Sequence, residues 1–349
     1  ATTEIYTLSL HDALPICKGS VLCSSEFGSG WTNISQIYAH LPEKPNLASS
    51  LNRHKYKHSM QKINSIRAFN AKKLEWRSAG ASWAFVPTMG ALHAGHASLI
   101  RRAATLCKEV VVSVFVNPTQ FNNPDDFDKY PSTPEKDANI AREAGATLLL
   151  TPQASDLYGG PVAAPAVDYG PLTSLFEAAD RPGHFDGVVA VVDKLFAQVE
   201  PEIAVFGEKD LQQVAVVRRL AKERHPNVKI HCAPLVRDEG GLALSSRNVR
   251  LTTRGRQQAL ALSQALKEVQ AAHWAHRDLQ EALVNARAWV REQEGVDLAY
   301  LEAVHTDSFQ THLDPAHNPL HLIIAAHVEG VRLIDNIALV PRSEPVIVP

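Results

Sequence analysis

The chain has 349 residues, 45% apolar and 21% charged, enough for two packed domains of roughly 100–200 residues each and too apolar for a disordered polymer. Its 35 basic and 37 acidic side chains leave a formal charge of −2, which argues against a general nucleic-acid surface, and no apolar run reaches the roughly 18 residues that span a bilayer. Four cysteines without metal-ligand spacing exclude a disulfide scaffold and point to a reducing compartment.

The first methionine is Met60. The 59 residues before it are rich in Ser, Asn and Gly and hold no sustained period of 3.6 or 2. They lack the basic and apolar regions of a secretory signal. Residues 6–16, YTLSLHDALPI, read as the forward translation of a common sequencing-library adapter. Residues 1–59 are therefore expected to be a leader without a fold, made of adapter and upstream translation, and the functional reading starts at Met60.

From there short β-rich runs alternate with longer amphipathic stretches, the pattern of βαβ units on a parallel sheet. Trp83–Thr88 (WAFVPT) reads as a strand, followed by a helix over residues 95–107 with Leu99, Ile100, Ala103, Ala104 and Cys107 on one face. Residues 109–116 (EVVVSVFV) form a continuous β-branched run, as in a strand buried on both faces. Thr133 is expected to cap a helix ending near Gly145, before a third strand over residues 147–151. Residues 152–187 make a connection longer than an ordinary loop and are a candidate substrate loop. A helix over 187–199, a strand over 203–206, a helix over 210–225 and a strand over 229–236 complete this region. Two long helices follow, over 252–273 and 278–293, then strands over 298–305 and 320–335. Helices followed by strands suggest a smaller α+β domain, with the boundary near Val236. The expected fold is α/β: a Rossmann-like parallel sheet with helices on both faces over residues 60–236, and a smaller α+β domain over 237–349.

Three segments carry candidate chemistry. In PTMGALHAGH, from Pro87 to His96, a strand ends, a glycine turn follows and a helix begins, and backbone N–H groups at such a helix start favour phosphate. His93 and His96 share one face of that start, and Gly95 is expected to leave room for a nucleotide near the backbone. The pattern is neither a dinucleotide fingerprint nor a P-loop. It resembles the HxGH signature of the nucleotidyltransferase superfamily, in which paired imidazoles steady the phosphates of ATP. Gly207-Glu208-Lys209-Asp210 follows a strand at its carboxyl end, where open α/β sheets bind ligands. Lys209 suits transition-state charge on phosphorus, and Asp210 could accept from ribose hydroxyls. Leu244-Ser245-Ser246-Arg247-Asn248 offers two hydroxyls and a guanidinium for outer phosphates. Gln120, in FVNPTQF, and Gln213, on the first turn of a helix, are placed to orient a hydroxy acid without adding charge.

Taken in order, PTMGALHAGH, SVFVNPTQF, RPGHFDGV, FGEKDLQQ, LALSSRN and RLIDN resemble the pantoate–β-alanine ligase (pantothenate synthetase) family over essentially all of residues 60–336. The resemblance implies ATP-dependent joining of pantoate to β-alanine through pantoyl adenylate. It also implies ATP contacts from Met89, Gly90, Ala91, Leu92, His93, Ala94, Gly95, His96, Gly207, Glu208, Lys209, Asp210, Val236, Leu244, Ser245, Ser246 and Arg247. His96 would be the proton donor; His93, Lys209 and Arg247 would share the catalysis. Gln120 and Gln213 would hold pantoate, with Gln120 bordering the β-alanine site. Mg²⁺ would accompany ATP, with no protein ligand assigned. The family implies a cytoplasmic homodimer without nucleic-acid or membrane partners. The sequence departs at Ser132, where relatives often carry Arg, and, around the long connection, at Tyr158-Gly159 and at Phe176-Glu177-Ala178. A different HxGH-type adenylyltransferase with another acceptor is the alternative. A tRNA synthetase core is disfavoured by near-neutral charge, and a non-catalytic module by the intact His93, His96, Lys209 and Arg247.

Overall fold

A computed structural model describes residues 60–121, 127, 130–311 and 320–339. The leader reading for residues 1–59 lies outside the described residues.

Six strands form one parallel sheet: β1 (Gln61–Ile63), β2 (Trp83–Thr88), β3 (Glu109–Val114), β4 (Leu148–Leu150), β5 (Ile203–Gly207) and β6 (Lys229–Ala233). Their spatial order is β1-β4-β3-β2-β5-β6. The chain leaves β2 toward β3 on one side and returns to pair β5 on its other side, so the order in which strands are added reverses between β2 and β5, all strands staying parallel. A crevice opens at such a switch point beyond the carboxyl ends of the strands.

Strand alternation sorts the side chains onto two faces. Phe85 and Val111 pack with the helices Ile66–Ser78, His184–Val199 and Leu211–Arg224. Ala84, Val86, Val110 and Val112 pack on the other face with Ala97, Ile100 and Ala103 of the helix Ala94–Leu106 and with Ala138 and Ala141 of the helix Pro134–Ala144. Val110, Val111 and Val112 are all fully buried, as the unbroken apolar run requires.

Three more strands, β7 (Val296–His305), β8 (Leu320–Val328) and β9 (Val331–Ala338), form a separate antiparallel sheet in the order β7-β8-β9. On β8 the residues Leu322, Ile324 and Ala326 face the helices Thr253–Trp274 and Leu279–Arg291, while Ile323 joins the core of the large sheet. Both sheets belong to one compact unit.

Four local expectations change. The strand expected over 320–335 is a hairpin, because Glu329 (φ 50°) and Gly330 (φ 72°) reverse the chain. β1 and the helix Ile66–Ser78 precede the first strand read from sequence. The connection over 152–187 carries three short helices, Ala154–Tyr158, Pro171–Ser174 and Glu177–Asp180. Thr133 occupies the N-cap position, yet its hydroxyl donates to the Asp137 carboxylate (2.9 Å) instead of capping a backbone N–H.

Candidate active site

The crevice between the ends of β2 and β5 is lined by Met89, His93, Gly95 and His96 from the turn after β2, and by Gly207, Lys209 and Asp210 from the turn after β5. Gln120, Gln213, Val236, Leu244, Ser245, Ser246 and Arg247 complete the same cleft. Gly90, Ala91, Leu92, Ala94 and Glu208 do not line it; they support the residues that do.

The turn after β2 is held from below by Asp137. Its buried carboxylate accepts from the backbone N–H groups of Ala91 (3.0 Å) and Leu92 (2.8 Å) as well as from Thr133. Hydrogen bonds to a charged group contribute about 1.5–3 kcal/mol each, enough to offset burial of that carboxylate. The next N–H groups are used as well. Gly95 donates to His93 Nδ1 (3.1 Å) and His93 donates to His96 Nδ1 (3.4 Å), a reciprocal cap made by two imidazoles. These four amides are thus occupied within the protein. At these four positions the amides serve the turn itself, and the imidazoles face the cleft. Gly95 also serves another purpose than expected: a Cβ there would stand 2.8 Å from the His93 ring, so the glycine makes room for His93 itself.

Because both Nδ1 atoms accept, the hydrogen bonds assign both protons to Nε2, leaving Nε2–H as the donor toward the cleft. Burial, reinforced by the Lys209 charge, lowers the His93 pKa to about 4. Burial and the neighbouring His93 lower that of His96 to about 3. At neutral pH both rings, with centroids 4.2 Å apart, are uncharged donors.

Across the cleft, Lys209 Nζ lies 3.4 Å from Asp210 Oδ1. Burial opposes ionisation of Asp210, but the charges of Lys209, Arg247 and Arg181 outweigh it and hold its pKa below the ordinary carboxylate range. Ser245 starts the short helix Ser246–Arg250 by accepting from the Arg247 N–H (3.3 Å), and the Ser246 hydroxyl donates to Ala91 O (3.3 Å). That last bond joins the serine loop to the histidine turn. Leu244 N–H donates to Val236 O (3.0 Å), setting these two residues side by side in the cleft wall.

Gln120 Nε2 donates to Met89 Sδ (2.9 Å), and Gln120 Oε1 accepts from Asn117 Nδ2 (3.3 Å). Asn117 in turn donates to Gly187 O (3.0 Å) and accepts from the Tyr158 hydroxyl (2.9 Å). A Cβ on Gly187 would fall 2.3 Å from Thr119 O, so only glycine lets the helix His184–Val199 approach this segment. Of the adjacent glutamines, Gln213 reaches the cleft, while Gln212 donates to Leu172 O and Leu175 O.

Sequence reasoning missed Tyr130, Arg181 and His184, all of which line the cleft. His184 Nδ1–H donates to Gln120 O (2.8 Å), and its Nε2 accepts from Arg181 (3.0 Å); burial and the Arg181 charge lower its pKa to about 3. The signal was present in RPGHFDGV, where an arginine and a histidine stand three residues apart. Glu208, expected at ATP, instead turns its carboxylate to His321 Nε2 (3.2 Å) on β8. Cys107 is buried and Cys232 partly buried, both as free thiols.

The family model for Pantoate-beta-alanine ligase matches residues 59–338. A pantothenate synthetase from Cytophaga hutchinsonii is 41% identical over 287 residues, covering 80% of this chain and 100% of the relative. One from Rhizorhabdus wittichii is 43% identical over 282 residues, 81% of this chain and 99% of the relative. Among solved structures, pantothenate synthetase from Thermus thermophilus superposes with a TM-score of 0.74 at 38% identity, covering 81% of this chain and all of that one. Pantoate-beta-alanine ligase from Francisella tularensis, complexed with beta-gamma ATP and beta-alanine, gives 0.67 at 32% identity over 80% of this chain and 98% of that chain.

Proposed function

The chain belongs to the Pantoate-beta-alanine ligase family, and from that premise we propose how its cleft condenses pantoate with β-alanine to pantothenate, using ATP and passing through pantoyl adenylate. The observation that carries the reading is convergence on one switch-point cleft. Two neutral histidines, Lys209 and Arg247 meet two amide side chains, Gln120 and Gln213, there.

In the first half-reaction a pantoate carboxylate oxygen bonds to the α-phosphorus of ATP. The bond from that phosphorus to the bridging oxygen breaks, and pyrophosphate leaves with the electron pair. Charge builds on the phosphoryl oxygens, and Lys209, Arg247 and the Nε2–H groups of His93 and His96 are preorganised to stabilise it. Met89–His96, Gly207–Asp210, Val236 and Leu244–Arg247 form the ATP site, with Gly90, Ala91, Leu92, Ala94 and Glu208 acting from behind. Gln120 and Gln213 hold pantoate, and their neutral amides orient a hydroxy acid without changing the charge balance. In the second half-reaction the β-alanine nitrogen bonds to the activated carbonyl carbon, the bond from that carbon to the AMP oxygen breaks, and the nitrogen loses a proton. Positioning of the two reactants supplies most of this step.

Mg²⁺ would accompany ATP in this reading and would supply neutralisation of phosphate charge. Asp210 is an ionised carboxylate at the cleft, and among the described residues no group of three or more His, Cys, Asp or Glu forms a metal cage. That donor set fits an ion held mostly by phosphate oxygens and water. Residues 60–236 bind nucleotide and pantoate in this account, and residues 237–349 deliver the Ser245–Arg247 loop. Among the described residues no helix is long and apolar enough to cross a membrane, and the family resemblance further implies a cytoplasmic homodimer. A chain beginning at Met60 is expected to turn over at the full rate; loss of turnover would show that residues 1–59 are needed.

The test is stepwise. ATP and pantoate alone should release pyrophosphate in an amount matching the enzyme, and AMP should appear only when β-alanine is added. Absence of pantoate-dependent pyrophosphate overturns the reading. Pyrophosphate without β-alanine-dependent AMP points instead to another acceptor.

A further inference from the structure

The RLIDN segment lies on β9 in the small sheet, outside the ATP and pantoate sites as assigned above. Consecutive strand residues point to opposite faces, and here two neighbours grip the two cationic sides of the cleft separately. Asn336 Nδ2 donates both to Glu208 O (2.9 Å) and to Lys209 O (3.1 Å). Asp335 receives Arg237 through both carboxylate oxygens (2.5 and 2.8 Å). Arg237 opens the turn that closes through its pairing with Ala243 and leads directly into Ser245–Arg247. Both β9 residues are only 4% exposed, so neither grip is loosened by water.

We propose that Asn336 and Asp335 are positioning residues for adenylation: Asn336 fixes the backbone that carries Lys209, and Asp335 fixes the hairpin that carries Arg247. The small sheet thereby sets the spacing of the two cations across the ATP phosphates. The inference rests on the functional reading above.

Asn336 is suited to the task because one amide nitrogen supplies two hydrogens to two carbonyl oxygens in different peptide units. Among the described residues its own Oδ1 is buried without a partner, so the side chain is retained for its donors at the expense of an unsatisfied acceptor. Asn336→Leu keeps the branched outline, with bulkier methyl ends, and removes that orphan acceptor together with the grip. Asn336→Asp keeps the shape and sets a carboxylate against the two carbonyls.

The test is a double-mutant cycle on pantoate-dependent pyrophosphate release, using the full chain as wild type, Asn336→Leu, Lys209→Ala and the double variant. Alone, Asn336→Leu is expected to slow release by about 10- to 100-fold, the scale of a displaced catalytic group. In the Lys209→Ala background the same change should cost less than about twofold, because the two act as one unit. Equal costs in both backgrounds overturn the proposal, since a general structural defect would give that result; so does a wild-type rate in Asn336→Leu. If that variant does not fold, Asn336→Asp is read in the same cycle against the same outcomes. A wild-type chain that releases no pyrophosphate overturns the functional reading and this inference with it. A wild-type chain that reacts, with equal costs in the cycle, overturns only the inference.

Discussion

The two sides of the cleft are held in different ways. The histidine side is built mostly from its own neighbourhood: His93 and His96 cap each other's helix start, and Asp137 receives the amides of Ala91 and Leu92 from the next helix but one. The lysine side has no comparable local support. Lys209 is followed by a helix, but the carbonyls of its turn are held by Asn336, 127 residues later in the chain, from another sheet. One binding turn is thus held within its own sheet region, while the backbone that carries Lys209 is held from a strand of the other sheet.

The sharpest way to break this comparison is at the cation. Lys209→Ala should slow adenylation by two or more orders of magnitude, the cost of losing a transition-state charge contact, and should leave the melting temperature nearly unchanged. Near-normal single-turnover adenylation would remove Lys209 from the mechanism. Next in size is Gly187→Ala. The added Cβ would fall 2.5 Å from Gln120 N, so the helix must retreat from the segment that holds Gln120. A loss of about 1–3 kcal/mol in denaturant unfolding is expected, with a raised KM for pantoate and little change in that for ATP. An unaltered pantoate KM would contradict the placement of Gln120.

Asp137→Asn sharpens the histidine side. It keeps the shape, but its single oxygen accepts on one side only, so its Nδ2–H2 group meets the N–H of Ala91 or of Leu92 donor to donor, and a loss of about 1–3 kcal/mol is expected, with slower adenylation. Full activity at full stability would mean that the turn stands without the carboxylate. Per pH unit the smallest expected effect comes from titration. His93, His96, His184 and His321 are neutral in the fold, with pKa values lowered to about 4, about 3, about 3 and about 4 by burial, Lys209, His93, Arg181 and Arg218 contributing. The unfolded chain protonates them near pH 6.5, so it binds more protons below that value, and stability falls as pH drops from about 6.5 to about 4. His184→Gln removes one such proton, and should flatten unfolding free energy against pH by about 1.4 kcal/mol per unit near pH 5. An unchanged slope would mean that His184 is already protonated in the fold.

What could be read from the sequence follows the same division. β2, β3 and the turn from Pro87 to His96 were legible because their signals are contiguous: an unbroken apolar run, a glycine turn and a helix start. The helix Ile66–Ser78 was not, because its buried stripe of Ile66, Phe69 and Trp76 includes Lys73. That lysine is accepted only because its Nζ donates to Gln198 O (2.7 Å) and Glu200 Oε1 (2.6 Å), partners far away in sequence. Among site residues, His93, His96, Lys209, Arg247 and both glutamines could be named from motifs. Their supports could not. Asp137 looks like an ordinary first-turn acid, Glu208 sits inside a charged motif yet faces His321, and Asn336 shows its purpose only once β9 is set beside the large sheet. Arg181 and His184 lay in a segment whose helix start the sequence placed three residues too late.

The most direct test of the central claim follows the oxygen atom that changes owner. With pantoate labelled by ¹⁸O in its carboxylate, mass spectrometry of the products should find one labelled oxygen in the phosphate of AMP, because the carboxylate attacks the α-phosphorus and the C–O bond later breaks. The amide keeps the other labelled oxygen by any route; unlabelled AMP, with the expelled label found in pyrophosphate or in water, would contradict an acyl-adenylate route through this cleft.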